Sequence, residues 1–303
     1  MTEALLPSWR PGPTRDTLRA FLDASLDLPA EQRVAVFDND GTLWVEKPDY
    51  PQFEFLHDAL TRAVAADPQL VDRPEFSAVL TGDLSAMAEV GLERVAMALT
   101  GLFGGATAEE FQTAVRSFMD SAVHRTLGRQ LYRCVYQPML ELIDELRRRR
   151  FTVAIVTGGG TEFVRAIGHQ LYGVAPELVI GTLIDYDVTR EESGGLRICR
   201  ANRLVGGPNE GVAKVANIQR HLGRRPILAA GNSGGDREML EWAVSGDAPG
   251  VALLIEHDDA EREFAYVSTA ATFAEDEPIT EVGRRLGFTI VSMAADWHRV
   301  LTD

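Results

Sequence analysis

The segment FDNDGTLW, residues 37–44, decides the fold because it continues directly from the short apolar run Val34–Phe37. An apolar run of this length, followed by polar residues and a glycine, predicts a buried parallel strand. Asp38 and Asp40 stand two residues apart just beyond its end, so both carboxylates can face one crevice. The segment therefore predicts a ligand site at the carboxyl end of a strand.

The chemistry of such a site follows from the pairing of the two carboxylates. Like charges this close raise each other's pKa unless a cation lies between them, and hard oxygen ligands favour Mg²⁺. With the metal in place, one carboxylate is free to attack phosphorus, while the other can protonate a leaving oxygen and later activate water. The alternative is an acidic turn in which Gly41 bends the chain.

Further along the chain, apolar runs alternate with helical patterns. The runs predict three more buried strands, and apolar residues at helical spacing predict helices between them. This alternation predicts an α/β fold with a doubly wound, Rossmann-like core and a mainly parallel sheet. The three predicted strands are Phe151–Val156, Ile227–Ala230 and Val251–Ile255.

Residues 45–137 break this alternation, because they carry helical patterns and little strand signal. We interpret them as a helical cap domain, inserted after the first strand and lying over its end. The core domain then consists of residues 1–44 and 138–303. The helices predicted within the cap are Phe53–Ala65, Leu84–Leu99 and Ala108–His124.

Other segments carry groups of the kind that bind a phosphoryl group. Thr157 follows the second predicted strand, and Gly158-Gly159-Gly160 then predicts a helix N-terminus that cradles an anion. Lys214, in the helix before the third strand, can neutralise phosphoryl charge. The loop GNSGGD, residues 231–236, offers oxygen ligands through Asn232 and Asp236. Each feature alone is typical of an ordinary turn or surface residue, but together and in this order they indicate phosphoryl transfer.

Composition narrows the function classes. The chain of 303 residues has a formal net charge of −15, which argues against nucleic-acid binding because such proteins need basic faces. No short spacing joins Cys134 and Cys199, so we expect neither a disulfide framework nor a zinc site. No apolar run reaches membrane-spanning length. We therefore expect a cytoplasmic protein that acts on a small phosphorylated molecule, with no nucleic-acid or membrane partner.

The order and content of these motifs resemble the haloacid dehalogenase superfamily of phosphatases, near the phosphoserine-phosphatase-like branch that has a helical cap after the first motif. Nearly the whole chain fits this resemblance. It implies that Asp38 is the nucleophile, Asp40 the general acid and base, Thr157 the phosphate-binding hydroxyl and Lys214 the lysine that steadies both nucleophile and phosphate. It also implies Mg²⁺ bound by the Asp38 carboxylate, the Asp40 backbone carbonyl and the fourth motif, which here contains Asn232 and Asp236.

The chain departs from the pattern of this superfamily at two places. Asn232 stands where the fourth motif usually opens with a metal-binding aspartate, so the ligand from this motif is Asn232, Asp236 or both. Gly211 stands where related chains often have another lysine, which leaves Lys214 as the sole nearby candidate.

Substrate choice is expected to reside in the cap. Phosphoserine phosphatases carry a substrate-binding glutamate at the position of Lys47, whereas here the glutamate is Glu46, so we do not expect phosphoserine as the substrate. Trp44, Glu46, Lys47, Tyr50 and Phe53 are the cap-side candidates near the entrance, although Phe53 is better explained by packing. We assign substrate binding to Asn39, Trp44, Glu46, Gly158 and Gly159.

Three other functions compete with a phosphatase. A phosphotransferase would use the same residues and pass the phosphoryl group to an alcohol. A serine esterase would use Ser233, because residues 231–235 spell G-x-S-x-G, with a later acid and histidine such as Asp247 and His298. A non-catalytic protein would only bind a phosphorylated ligand, and Asn232 is the one feature that favours it. A dehalogenase is not expected, because Asp40 is present and a halide leaving group needs no proton.

Overall fold

A computed structural model describes residues 5–192, 194–270 and 277–303. In these residues one sheet of seven strands forms the centre of the molecule, in the order β4-β3-β2-β1-β5-β6-β7. All neighbouring strands are parallel except β3 and β4, which are antiparallel. The strands are β1 (Val34–Phe37), β2 (Thr152–Gly160), β3 (Val179–Arg190), β4 (Leu196–Val205), β5 (Leu228–Gly231), β6 (Val251–Glu256) and β7 (Thr289–Ser292).

Helices cover both faces of the sheet, as the doubly wound prediction requires. Alternate residues of one strand therefore enter different cores: Ala35 and Phe37 pack on one face, and Val34 and Val36 pack on the other. The helices are α1 (Pro13–Ala24), α2 (Pro51–Ala66), α3 (Pro74–Thr81), α4 (Leu84–Val90), α5 (Leu92–Thr100), α6 (Ala108–Ser121), α7 (Gln137–Arg148), α8 (Thr161–Tyr172), α9 (Val212–Leu222), α10 (Arg237–Val244), α11 (Ile279–Leu286) and α12 (Met293–Asp296).

The long insertion between β1 and β2 is helical, as predicted. It contains α2 to α6, and the predicted helix Leu84–Leu99 is in fact two helices, α4 and α5. Gly91 separates them at a φ of 96°, a backbone conformation that a residue with a side chain rarely adopts. The placement of the domain boundaries at residues 44/45 and 137/138 stays a prediction.

Strands β3, β4 and β7 were missed by the sequence analysis. β3 and β4 form a long antiparallel hairpin whose outer end is exposed, so its residues do not form a continuous apolar run. The hairpin reaches the inserted helices, since β4 contacts α5 and α6. Part of the predicted core therefore meets the predicted cap at this hairpin.

The two ends of the described chain meet against α7. Trp9 pairs with Trp297 through a β-bridge, and the Trp9 indole donates to the Pro138 carbonyl at 3.0 Å. Both indole rings are buried, so the chain ends are part of the core. Across the residues that the structure describes, no helix has both the length and the apolar character needed to cross a membrane.

Candidate active site

The adjacent strands β2, β1 and β5 bring three of the predicted motifs together. Phe37 is in register with Ile155 of β2 and with Ala230 of β5, so the residues after all three strands emerge side by side. The Asp38 amide still donates to the Ala230 carbonyl at 2.9 Å, which fixes the start of the loop. The parallel sheet thus gathers Asp38, Thr157 and Asn232 at its carboxyl edge.

Lys214 reaches this edge from α9 and is almost fully buried, with 1% of its surface exposed. Its Nζ lies 2.7 Å from Asp38 Oδ1 and 2.6 Å from Asp236 Oδ1. Burial alone would lower the pKa of this ammonium, but the carboxylates of Asp236, Asp38 and Glu210 raise it above its usual value. Lys214 is therefore a permanently charged bridge between two aspartates.

Asp236 does not face the open space of the site, although it was a predicted metal ligand. Its Oδ1 accepts from Lys214, and its Oδ2 accepts from the backbone amides of Asn232 and Ser233 at 3.0 and 3.1 Å. With both oxygens engaged inside the protein, Asp236 holds the lysine and the loop 231–236 in place. Of the two candidates in that loop, the structure leaves Asn232 as the one that faces the site.

Asp40 is held from behind by its own loop. Its Oδ1 accepts from the Trp44 indole at 2.9 Å, and its Oδ2 lies 3.5 Å from Asn39 Nδ2. Burial raises the pKa of Asp40. Trp44 and Asn39 are fully buried and do not line the open space, and their predicted role in substrate binding stays a prediction. Both side chains position Asp40.

The three glycines after Thr157 do not open a helix as predicted. They are the last residues of β2, and α8 begins only at Thr161. The pairing of β2 with β3 shifts between Val156 and Gly160, so this part of the strand bulges out of the sheet. The bulge lets the Gly159 amide donate to Thr157 Oγ1 at 3.0 Å. A Cβ on Gly158 would lie 1.8 Å from Glu210 Oε1, so only glycine permits this approach.

These groups line a cavity of about 290 Å³, which we call the Asp38 cavity. Asp38, Asp40, Glu46, Glu210 and Lys214 form its polar floor. The inserted helices α2 and α5 supply its apolar side through Phe53, Leu56, Leu92, Val95 and Leu99. Tyr50, Gly158 and Gly159 also line the cavity, which places these predicted residues at the site.

Glu210 was not among the predicted residues. Its Oε2 lies 3.9 Å from Lys214 Nζ, one helical turn away in sequence. Burial raises the pKa of Glu210 to about 7. The i, i+4 spacing from a candidate lysine was the available signal, but on most helices that spacing marks an exposed ion pair.

The donor set fits a hard divalent cation. Four carboxylates line the Asp38 cavity and Lys214 is the one cation among its lining residues. Burial and the neighbouring Asp236 hold the pKa of Asp38 well above its usual value, and burial raises the pKa of Glu46 to about 6. Burial is the largest cause of both raised pKa values, and if all four carboxylates were ionised, one ammonium would not balance their charge. No group of three His, Cys, Asp or Glu side chains in the described ranges could hold a metal, so the fit rests on Asp38, Asp40 and the Asn232 amide.

Asn232 is fixed by contacts on both sides of its amide. Its Oδ1 accepts from Thr42 at 3.4 Å, and its Nδ2 donates to Glu46 Oε1 at 3.2 Å and to Ser268 Oγ at 3.3 Å. An aspartate here would set a second carboxylate against Glu46. The contact with Glu46 gives a physical reason for an amide at this position.

The esterase residues are not assembled. Within the described part of the chain, the Ser233 hydroxyl lies 3.4 Å from Asp236 Oδ2, and neither Asp247 nor His298 forms a hydrogen bond with it. Asp247 instead lines a separate cavity beside Arg224 and Arg225. A nucleophilic serine needs an adjacent base, which this arrangement does not provide.

Comparison with known proteins agrees with this geometry. A family model described as haloacid dehalogenase-like hydrolase matches residues 35–241, which run from β1 through α10 and contain all four motifs. The chain belongs to the haloacid dehalogenase-like hydrolase family. The α/β core that the family resemblance implied is thereby confirmed. A comparison with curated proteins finds no match.

Solved structures similar to this haloacid dehalogenase-like chain include two proteins of unknown function. One, from Bordetella pertussis Tohama I, is 17% identical with a TM-score of 0.51, and the match covers 86% of this chain and 98% of that one. The other, from Anaerococcus prevotii DSM 20548, is 14% identical with a TM-score of 0.55, and the match covers 91% of this chain and 90% of that one. A phosphoserine phosphohydrolase-like protein from Francisella tularensis also matches, at 12% identity and a TM-score of 0.40, covering 84% and 99%. For the first two structures, whose TM-scores exceed 0.5, the likeness describes the fold.

Proposed function

We propose that this protein is a Mg²⁺-dependent phosphatase that hydrolyses a small-molecule phosphate monoester through a phospho-aspartyl intermediate on Asp38. The observation that carries the proposal is the buried pair of Asp38 and Lys214, 2.7 Å apart at the end of β1, with Asp40 two residues further on. Membership of a hydrolase family supports the same reaction class.

The reaction takes place in two steps. In the first, a carboxylate oxygen of Asp38 attacks phosphorus, the ester P–O bond breaks, and Asp40 gives its proton to the leaving oxygen. Burial raises the pKa of Asp40, which suits a group that must begin the step protonated. In the second step water attacks phosphorus, Asp40 takes a proton from it, and the bond between phosphorus and Asp38 breaks. Lys214 holds the phosphoryl oxygens in both steps, and Thr157, which is fully buried beside the Gly159 amide and does not line the cavity, stays the predicted phosphate-binding hydroxyl.

The metal would be held by the Asp38 carboxylate, the Asp40 backbone carbonyl and the Asn232 amide. When bound, Mg²⁺ supplies positive charge that polarises the phosphoryl group and keeps Asp38 deprotonated against its raised pKa. Asp236 acts through Lys214, because it does not line the cavity and both of its oxygens accept hydrogen bonds inside the protein. Glu46 positions Asn232 and faces the substrate from the cap side.

We retain the predicted division into a core (residues 1–44 and 138–303) and a cap (residues 45–137). In this division the core carries the reaction and the cap carries much of the specificity, because α2 and α5 supply the apolar wall opposite the carboxylates. A wall of this kind selects the body of the leaving group by shape and apolar contact.

The first experiment measures hydrolysis of 4-nitrophenyl phosphate with Mg²⁺, with EDTA and with Asp38→Asn. We expect metal-dependent turnover that Asp38→Asn lowers by at least about 1,000-fold, because the nucleophile is lost. Asp247→Asn, at an exposed position outside the cavity, is the matched control and should retain activity. Acid-quenched enzyme should carry one phosphoryl group that is absent from Asp38→Asn.

The same assay separates the alternatives. Added alcohols that reduce phosphate release without reducing nitrophenol release would indicate a phosphotransferase. Carboxylic-ester hydrolysis that survives EDTA and Asp38→Asn, but not Ser233→Ala, would overturn the proposal in favour of an esterase. Tight binding of phosphorylated ligands without turnover would indicate a non-catalytic binder.

A further inference from the structure

A second cavity of about 600 Å³ adjoins the Asp38 cavity, and we call it the Arg200 cavity. The two share the lining residues Gln52, Leu56, Leu92, Ala96 and Gly158. The Arg200 cavity lies between the inserted helices α5 and α6 and the β3–β4 hairpin. Its walls are largely apolar, and Leu56, Met97, Phe111, Phe163, Ile184 and Leu204 contribute to them.

Arg200 is the unexplained group of this cavity. Its side chain projects from β4, the residue is only 4% exposed, and its Nε and Nη1 have no hydrogen-bond partner. The guanidinium lies over the Phe111 ring, with Cζ 3.8 Å from the ring centroid. Glu162 lines the same cavity and its charge partly offsets the burial that lowers the pKa of Arg200, but its carboxylate is paired with Arg165 at 3.1 Å. In the described part of the chain, no acidic side chain forms an ion pair with Arg200.

A buried guanidinium without an acceptor is unfavourable, and proteins normally pair such a group. Arg200 is not loosely placed, because its backbone exchanges hydrogen bonds with the loop before α6: its amide donates to Ala106, and its carbonyl accepts from Gly105, both at 2.8 Å. The Phe111 ring holds the flat face of the guanidinium, which leaves its edge for a planar or tetrahedral anion. The missing acceptor is therefore expected to come from a ligand.

We propose that the substrate is a phosphate monoester whose leaving group has an apolar body and a second anionic group, which Arg200 binds. The scissile phosphate then occupies the Asp38 cavity, the apolar body passes Leu56 and Leu92, and the second anion lies against Arg200. This inference rests on the proposed phosphatase function, because it uses that site for the scissile phosphate. It assigns Arg200 as a specificity-determining residue on the core side of the substrate pocket.

The first test needs only the unaltered protein. Straight-chain monophosphates of increasing length that end in a carboxylate are compared with the methyl esters of the same acids, and diol bisphosphates form a third series. We expect kcat/KM for one anionic series to exceed that of the neutral series by at least about 10-fold at a preferred chain length. The series that shows the preference identifies carboxylate or phosphate as the second anion. Equal kcat/KM for all three series at every length would overturn the inference.

The second test uses Arg200→Met and Arg200→Lys, with Arg203→Met as the matched control. Arg203 lies on the same strand but is exposed and pairs with Asp185 and Asp187. Arg200→Met should reduce the anionic-to-neutral ratio of kcat/KM to near 1, mainly through a higher KM for the anionic substrate. Arg200→Lys should keep part of the ratio, and Arg203→Met should keep all of it.

The outcomes distinguish the two levels of the proposal. Turnover of 4-nitrophenyl phosphate without any preference for anionic leaving groups would contradict the role of Arg200 and leave the phosphatase intact. An anionic preference that persists in Arg200→Met would also contradict it. Absence of turnover of every phosphate ester, including the neutral series, would instead contradict the proposed function.

Discussion

The Asp38 cavity and the Arg200 cavity adjoin, yet the first has an excess of buried carboxylates, while in the second a buried guanidinium lacks hydrogen-bond partners and the buried Glu162 is paired with Arg165. In the Asp38 cavity the one lysine binds two aspartates directly, and Glu46 and Glu210 add further negative charge. In the Arg200 cavity a guanidinium surrounded mainly by apolar walls has two nitrogens without partners. Because buried polar groups need partners, our proposals assign a cation to the carboxylates of the first cavity and an anionic acceptor to Arg200 in the second.

The difference comes from how each cavity is built. The polar groups of the Asp38 cavity follow the strands β2, β1 and β5, which are neighbours in one parallel sheet and must end at the same edge. The Arg200 cavity exists only where an edge hairpin meets the inserted helices α5 and α6. In the proposed function, the reaction therefore depends on the sheet, and recognition of the leaving group depends on the contact between hairpin and helices.

The largest expected effect comes from removing the ammonium group of Lys214 from the Asp38 cavity. Lys214→Met leaves Asp38 and Asp236 buried without their shared partner, so we expect the free energy of unfolding to fall by about 3–5 kcal/mol. Turnover of 4-nitrophenyl phosphate should fall by at least about 100-fold. Urea unfolding in EDTA measures the loss of stability, and steady-state assays measure the loss of turnover. Arg220→Met, at an exposed position on the same helix, is the control. A loss below about 1 kcal/mol would show that this charge is not essential to the cavity.

The second prediction concerns the excess negative charge. Burial raises the pKa of Glu210 from 4.5 to about 7. A carboxyl whose pKa rises on folding stabilises the fold fully below its unfolded pKa, and this contribution is lost as the pH rises through about 7. The experiment measures the unfolding free energy of the unaltered protein and of Glu210→Gln in EDTA. The value for the unaltered protein minus that for Glu210→Gln should fall by up to about 3 kcal/mol between pH 5 and pH 8. A difference that does not change with pH would show that folding does not raise the pKa of Glu210.

The third prediction tests why an amide occupies position 232. Asn232→Asp sets a carboxylate beside Glu46 Oε1, which lies 3.2 Å from the present Nδ2. We expect Asn232→Asp to lower kcat/KM and Glu46→Gln to restore much of the loss in the double variant, with a coupling of about 1–3 kcal/mol. The double-mutant cycle on 4-nitrophenyl phosphate measures this coupling directly. Additive effects would show that Glu46 does not determine the residue at 232.

The smallest effect is expected in the Arg200 cavity, and it has the opposite sign. In the protein without ligand, Arg200→Met removes a buried guanidinium whose Nε and Nη1 have no partner, which is favourable. The same substitution also removes the contact between the guanidinium and the Phe111 ring, which is unfavourable. We expect the free energy of unfolding to rise by about 1 kcal/mol. Arg203→Met should change it by less than about 0.5 kcal/mol. If Arg200→Met destabilised the protein by more than about 1 kcal/mol, Arg200 would be a structural residue of the hairpin.

Much of the fold was predictable because its central strands are locally encoded. The four buried strands β1, β2, β5 and β6 are short apolar runs, and each was placed within one residue of its observed start. The hairpin β3–β4 and the edge strand β7 were not found, because their exposed faces interrupt the apolar pattern. Their pairing depends on partners distant in sequence, which a local pattern does not contain.

In the candidate site, residue types were easier to predict than orientations. Asp38, Asp40, Glu46 and Lys214 all line the Asp38 cavity, as their positions after strands or on α9 suggested. Trp44, Asn39 and Asp236 were expected to face a ligand, but each is turned inward to hold another residue. A motif states which residues are near the site, whereas hydrogen bonds decide which of them face it.

The sequence by itself determined the order of the motifs, the α/β class and the acidic character of the site, because these depend on residue identity and on short-range spacing. The tertiary structure alone placed Glu210 beside Lys214 and Gly158, and Arg200 over Phe111. Those placements join elements far apart in the chain. Whether a buried charge has a partner depends on which surfaces pack together, and so it was decided only when the hairpin, the sheet and the inserted helices met.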